Sequence, residues 1–245
     1  GGLQVLDRGS LDMLASLGNA GFANRLHLAG DALYVADLSG GVRVFDVSDP
    51  EAPAFLTEIA TDPNCQDLAI EDGLLAAVNA NNTGAGLLLA DVTDPAAPSV
   101  YSTYDPANGT MGLDLTDDRA ILANGFGGLH AVDVGDPTAP AFLGELPLGA
   151  MCFDVMTAGD VAYVATFGGG MVSADVSDPA AMTVLDQEIG WGFLNAVDVT
   201  GQTAWVADGA LGLRVVDISD PADLVSVATL PLASAATRAR AGAPM

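Results

Sequence analysis

The chain has 245 residues, with 32 acidic side chains against 7 basic ones and a net charge of −25; none of the basic residues is lysine. That field disfavours nucleic acid and anionic membrane surfaces, because both need Lys or Arg to neutralise phosphate. Half the residues are apolar, which excludes a disordered acidic tail. No apolar run approaches the ~20 residues of a membrane-spanning helix, so direct membrane insertion is not expected.

A self-repeat organises the chain. Asp46-Val47-Ser48-Asp49-Pro50 returns as Asp91-Val92-Thr93-Asp94-Pro95, Asp133-Val134-Gly135-Asp136-Pro137, Asp175-Val176-Ser177-Asp178-Pro179 and Asp217-Ile218-Ser219-Asp220-Pro221. The intervals are 45, 42, 42 and 42 residues, and a glycine precedes each leading Asp by five: Gly41, Gly86, Gly128, Gly170 and Gly212. A Gly at one place in every unit predicts a positive φ or a close backbone approach. Ten of the 27 Asp are therefore repeat punctuation, and capping of a turn is their expected task.

Residues 1–20 read as a partial unit with a third strand over 3–6 and a fourth over 14–17. Five whole units follow over 21–62, 63–107, 108–149, 150–190 and 191–232, and residues 233–245 read as one more first strand. Second strands are predicted over 33–37, 121–124, 163–166 and 205–208, and third strands over 41–46 and 212–217. They are β-branched and apolar runs bounded by Gly and Asp-Pro. Four short strands in about 42 residues match a propeller blade, and period-3.6 patterns are absent. The expectation is a single all-β domain, a β-propeller of about 42-residue four-stranded blades. Six blades are expected, the sixth shared by the two termini, which removes exposed sheet edges. The lack of a second strand for that sixth blade predicts a piece of a longer chain.

The third-strand runs Leu3-Gln4-Val5-Leu6-Asp7, Val42-Arg43-Val44-Phe45-Asp46 and Leu213-Arg214-Val215-Val216-Asp217, with Asp-Pro or its remnant after each, resemble the LVIVD repeat. The resemblance spans essentially the whole chain. It departs at Arg8-Gly9-Ser10-Leu11, which replaces the signature, and at a three-residue insertion near Asn81-Asn82-Thr83. It implies a propeller on a secreted or cell-surface bacterial or archaeal protein and transfers no catalytic motif.

First-strand columns that vary between blades are the candidate binding positions at the channel mouth: Asn24, Arg25, Asp67, Asp114, Asp154 and Asn195. Oxygen donors of this type suit Ca²⁺, with Asp67, Asp114 and Asp154 the candidate ligands; otherwise no cofactor is expected. Trp191-Gly192-Phe193 with Met151 and Phe153 could line an apolar pocket beside the alternative of inter-blade packing. Cys65 and Cys152 occupy one column two blades apart, so two free thiols are expected. His27 and His130 fall on a first and a third strand, without a shared face. No nucleophile–base pair is evident. The expected function is a non-catalytic, monomeric extracellular or cell-surface scaffold that binds a protein or glycan partner. The alternative, by analogy of fold, is a Ca²⁺-dependent hydrolase of lactonase type acting at the channel.

Overall fold

A computed structural model describes residues 3–17, 22–61, 64–80, 86–209 and 211–232. Strands β1 (Leu3–Leu6) and β2 (Met13–Leu17) form a hairpin. Blade 1 follows as β3 (Ala23–Ala29), β4 (Ala32–Asp37), β5 (Gly41–Asp46) and β6 (Ala54–Ile59). Blade 2 is β7 (Cys65–Glu71), β8 (Leu74–Asn79), β9 (Leu87–Asp91) and β10 (Ser99–Tyr104). Blade 3 is β11 (Gly112–Thr116), β12 (Arg119–Ala123), β13 (Leu129–Asp133) and β14 (Ala141–Leu146). Blade 4 is β15 (Met151–Ala158), β16 (Val161–Phe167), β17 (Gly170–Asp175) and β18 (Thr183–Glu188), with one 3-10 turn at Pro179–Ala181. Blade 5 is β19 (Leu194–Thr200), β20 (Thr203–Asp208), β21 (Gly212–Asp217) and β22 (Val225–Leu230).

Each blade is an antiparallel meander in chain order. The described residues thus build five blades, not the six that the interval predicts. The β1–β2 hairpin stands as a two-stranded sheet without a second strand to build on, and the closing strand expected in 233–245 lies outside the described residues.

The chain divides into two compact units: residues 1–109 with the turn 136–140, and residues 110–135 with 141–245. In the first, Tyr34, Val42 and Val44 of blade 1 pack with Leu68, Leu75 and Leu88 of blade 2. In the second, Ile121 and Leu129 pack with Val155, Val164 and Val172, and Tyr163 and Met171 with Leu194, Val197 and Val206. Each core is a seam between consecutive blades. Second and third strands are covered on both faces, so they read as continuous apolar runs instead of alternating ones. In the first-strand apolar column Leu68, Leu113, Val155 and Val197 are buried, whereas Leu26 of β3 is 40% exposed.

The signature turn is a repeated hydrogen-bond device. Each leading Asp accepts the N–H two residues on, at 2.9 Å: Ser48, Thr93, Gly135, Ser177 and Ser219. The second Asp accepts from Glu51, Ala96, Thr138, Ala180 and Ala222 at 3.0–3.1 Å. The residue after the leading Asp then ties this turn to the first–second turn of its own blade. Val47 N–H donates to Asp31 O, Val92 to Gly73 O, Val134 to Asp118 O, Val176 to Asp160 O and Ile218 to Gln202 O.

The turn also latches onto the preceding blade. Every fourth strand carries a β-bulge against its third strand. After the bulge in β10, Ser102 Oγ donates to Pro137 O at 2.7 Å. At the equivalent place in β14, Gly144 leaves room for Pro179 O. Between blades 4 and 5, Ser173 Oγ donates to Pro221 O at 2.6 Å, and Asp186 Oδ2 accepts from Leu224 N–H at 2.7 Å.

At four of its five places the repeated glycine shows both features its position predicted. Gly41, Gly128, Gly170 and Gly212 have φ of 97°, 87°, 81° and 105°. A Cβ on any of them would press on a fourth-strand carbonyl, that of Ile59, Leu146, Glu188 or Leu230. Gly170→Ala is therefore expected to cost more than about 2 kcal/mol, from a left-handed backbone plus overlap. Gly159→Ala, at φ 59° with open space around it, should lose only about 1 kcal/mol. Urea midpoints of the two variants check this.

Turn hydrogen bonds also hold carboxyls below the ordinary 3.8. The hydroxyl and backbone N–H of Ser48, Thr138 and Ser177 act on Asp46, Asp136 and Asp175. The backbone N–H and hydroxyl of Thr93 and Ser219 act on Asp91 and Asp217. A depressed native value means that the unfolded chain binds more protons near 3.8, so this stabilisation is present above 3.8 and is lost as pH falls through the native value. Asp175→Asn keeps a turn acceptor but cannot titrate. The parent's advantage over it in urea midpoint should shrink as pH falls through 3.8 and vanish below the native value.

Candidate functional site

An antiparallel meander separates two ends of every blade. The lower end holds the first–second turns and the Asp-Pro turns, so the repeat aspartates gather there. The upper end holds the start of the first strand and the second–third loop. Every candidate binding residue except Asp114 sits at or near that upper start.

The first strands are distorted there. In β3, β7, β15 and β19 the register with the second strand shifts across one unpaired residue: Asn24, Gln66, Phe153 and Asn195. A bulge re-aims the side chain of its extra residue. One of the variable columns seen in the sequence, that of Asn24, Phe153 and Asn195, is this bulge position.

Most candidates turn out to tie neighbouring blades together. In the first unit, Asn24 Nδ2 donates to Gln66 O at 2.7 Å and to Gln66 Oε1 at 3.0 Å. Arg25 Nε lies 2.9 Å from Asp67 Oδ1, and that oxygen also accepts the N–H of Leu68. In the second unit, Asp114 Oδ2 accepts from Thr157 N–H and Oγ1, both at 2.7 Å, and its Oδ1 from Leu115 N–H. Asp154 is buried; its Oδ2 accepts from Val197 N–H at 3.1 Å and its Oδ1 from Val155 N–H. Gly112 keeps this seam tight, since a Cβ there would fall 2.8 Å from Asp154 Cα. Asn195 is engaged locally, through Nδ2 to Phe193 O. The carboxylate oxygens considered for Ca²⁺ thus already accept protein donors. Among the described residues no three His, Cys, Asp or Glu side chains gather as a metal-holding group.

The second–third loop is braced by ion pairs at one column. Arg43 Nε stands 3.0 Å from Asp37 Oδ2, and Arg214 Nε stands 2.8 Å from Asp208 Oδ2. Burial raises the Asp37 pKa, but Ser39, the Phe22 N–H and the Arg43 charge outweigh it and hold the carboxyl below 3.8. In blade 3 His130 takes the arginine's place, and its pKa is lowered by burial against the opposing charge of Glu145. Cys65 and Cys152 are free and buried. Desolvation pushes both thiols up to about 12, which makes them poor nucleophiles.

The aromatic residues do something the sequence did not disclose. Phe167, at the end of β16, stacks at 4.3 Å between centroids on Phe193 and at 6.0 Å on Phe153. Phe167 and Phe193 also share a backbone bridge. Phe167 is 46% exposed and Phe193 50%, with Phe153 half-buried beside them, so the rings form a ladder across blades 4 and 5 that is open to solvent at Phe167 and Phe193. Trp191 leans away into the blade 5 core and carries the Arg214 guanidinium 4.6 Å above its ring. Phe126, in the second–third loop of blade 3, is 78% exposed. The missed residue, Phe167, closes an apolar strand run; its one sequence signal is the Gly168-Gly169-Gly170 run after it.

LVIVD repeats, a β-propeller repeat family, match the chain at residues 20–61, 150–186 and 192–229. No curated protein sequence matches it. Among solved structures it is similar to a proposed 6-phosphogluconolactonase from Bacteroides fragilis, with a TM-score of 0.78 at 14% identity over 96% of this chain and 78% of that one. It is also similar to a functionally unknown protein from Desulfotomaculum acetoxidans, with a TM-score of 0.76 at 13% identity over 93% and 75% of the two chains. The computationally designed protein Ika8 gives a TM-score of 0.71 at 13% identity over 96% and 70%. At such identities these likenesses show the fold alone: four-stranded blades forming a β-propeller.

Asp154→Ala would leave the Val155 and Val197 N–H groups without this acceptor in a buried seam. The expected loss in unfolding free energy is about 2–3 kcal/mol, and Asp154→Asn, which retains one carbonyl acceptor, should lose less. Denaturant unfolding of both variants checks the assignment of Asp154 to blade cohesion.

Proposed function

We propose that this chain, a propeller carrying LVIVD repeats, is a non-catalytic recognition scaffold that binds a partner through its upper end. The observation that carries this reading is the Phe153, Phe167 and Phe193 ladder, with Phe167 and Phe193 exposed and Phe153 half-buried, set between loops that bear no charge. Exposed aromatic surface on an otherwise acidic protein is costly in solubility and marks contact surfaces. The candidate carboxylates support the same view from the other side, since their oxygens already hold neighbouring strands. Placement on the cell surface or in secretion belongs to this proposal, as does action as a monomer. The partner comes from the protein and glycan classes.

Hydrolysis of a lactone is the second reading, favoured by the name of the Bacteroides fragilis protein of similar fold. Two measurements separate the readings. Incubation with 6-phosphogluconolactone, with and without Ca²⁺, should show only the buffer rate; turnover that scales with protein concentration overturns the scaffold. A glycan array and a phage-displayed peptide library, each screened against the parent and Phe167→Ala, should yield ligands enriched by the parent and lost by the variant. Identical enrichment by both removes the upper end as the binding face.

A further inference from the structure

We propose that the Phe153–Phe167–Phe193 ladder docks a basic peptide segment of a partner protein, with apolar or guanidinium side chains lying on the rings. This rests on the upper end being the binding face and names the chemistry of what it takes.

The ladder is built, not incidental. Phe153 is the bulge residue of β15, so its ring is aimed by a backbone distortion. Phe167 and Phe193 are held at 4.3 Å by the backbone bridge between the end of β16 and the approach to β19. All three belong to one compact unit and span two blades. The flanking stretches Phe167-Gly168-Gly169-Gly170 and Ile189-Gly190-Trp191-Gly192-Phe193 hold no charged residue in a chain with 32 acidic ones. The contact itself is therefore apolar.

Charge sets the sign of the partner. The chain has seven basic residues, and four of them are spent internally. Arg25, Arg43 and Arg214 pair with Asp67, Asp37 and Asp208, and Arg119 donates to Val176 O. The chain as a whole carries a net charge of −25, which attracts a cationic partner and speeds its encounter. The interior of blade 5 shows how a ring and a carboxylate together hold a guanidinium: Arg214 lies over the Trp191 ring while Asp208 takes its Nε at 2.8 Å. Cation–aromatic contact of this kind is favourable at exposed sites.

A sugar fits less well. Phe offers no polar handle for hydroxyls, and the nearby amides are engaged, Asn195 Nδ2 with Phe193 O and Gln187 Nε2 with Gly169 O.

The test is fluorescence anisotropy with a labelled peptide of alternating arginine and leucine, measured against arginine–glycine and glutamate–leucine peptides of equal length. The arginine–leucine peptide should bind, and Phe167→Ala and Phe193→Ala should each weaken it by about tenfold or more. Phe167→Trp should retain binding, and Phe142→Ala, an exposed ring on β14 outside the ladder, should leave it unchanged. Circular dichroism establishes that the variants are folded. Equal affinity for the glutamate–leucine peptide, equal affinity for the arginine–glycine peptide, or indifference to both Phe→Ala changes overturns the proposal. If no arginine–leucine peptide binds while the array or library still gives a Phe167-dependent ligand, the basic-peptide assignment falls and the upper-end reading stands.

Discussion

Two carboxylates per repeat hold the turn after the third strand, and the rest of the structure depends on that turn. The first Asp cups the N–H two residues on, and the second does the same for the descent into the fourth strand. With the turn rigid, the residue between them can bond the first–second turn of its own blade. The Pro carbonyl then stands where the preceding blade can reach it, through Ser102, through Ser173, or directly against Gly144. A flexible loop would have to be ordered at each of these contacts at an entropic cost of about 1–2 kcal/mol per residue. Two Asx bonds spare that cost, so the same five residues can serve as turn, clip and latch.

The same turns separate the molecule chemically. Repeat aspartates collect at the lower end of each blade, where turn hydrogen bonds lower the pKa of several of them. The upper end is freed from that duty and varies. There the second–third loop is braced by Asp37–Arg43 in blade 1 and Asp208–Arg214 in blade 5, whereas blade 3 has His130 at the arginine's position, against the Phe142 ring, and blade 4 uses Thr166 closing on Gly170 O at 2.7 Å. Variation is tolerated because the lower end and the seams carry the cohesion. What the varied positions present to solvent in blades 4 and 5 is aromatic.

The periodic part of this was legible from the residues. Asp-x-x-Asp-Pro at intervals near 42 marks the blades, and Gly170 in its fixed place requires both the left-handed backbone and the missing side chain that its position suggested. Blade number was not legible, because interval arithmetic counts strands without testing whether a partner strand is present, and among the described residues β1 and β2 pair only with each other. The candidate site was half legible. Variation drew the eye to the column of Asn24, Phe153 and Asn195, and these are bulge residues. It also picked out Asp67, Asp114 and Asp154 as oxygen ligands, and residue type alone does not reveal that Arg25, Thr157 or Val197 is already on those oxygens. Phe167 could not be found at all, since an apolar residue ending an apolar strand looks buried until the neighbouring blade is placed.

Net charge takes on a different meaning once the partners are known. Had the carboxylates been spread evenly, −25 would describe a uniformly repelling surface. Instead Arg25, Arg43 and Arg214 are drawn inward to brace seams and loops, where they neutralise the buried carboxylates of Asp67, Asp37 and Asp208. Absence of lysine follows the same logic: a flexible ammonium suits an exposed point charge, whereas a planar guanidinium suits a fixed pair at a strand end. The exterior is left with acid at the turns and with rings at the head of blades 4 and 5. An apolar patch inside a negative field selects for partners that combine apolar contact with positive charge, and it rejects acidic ones before contact.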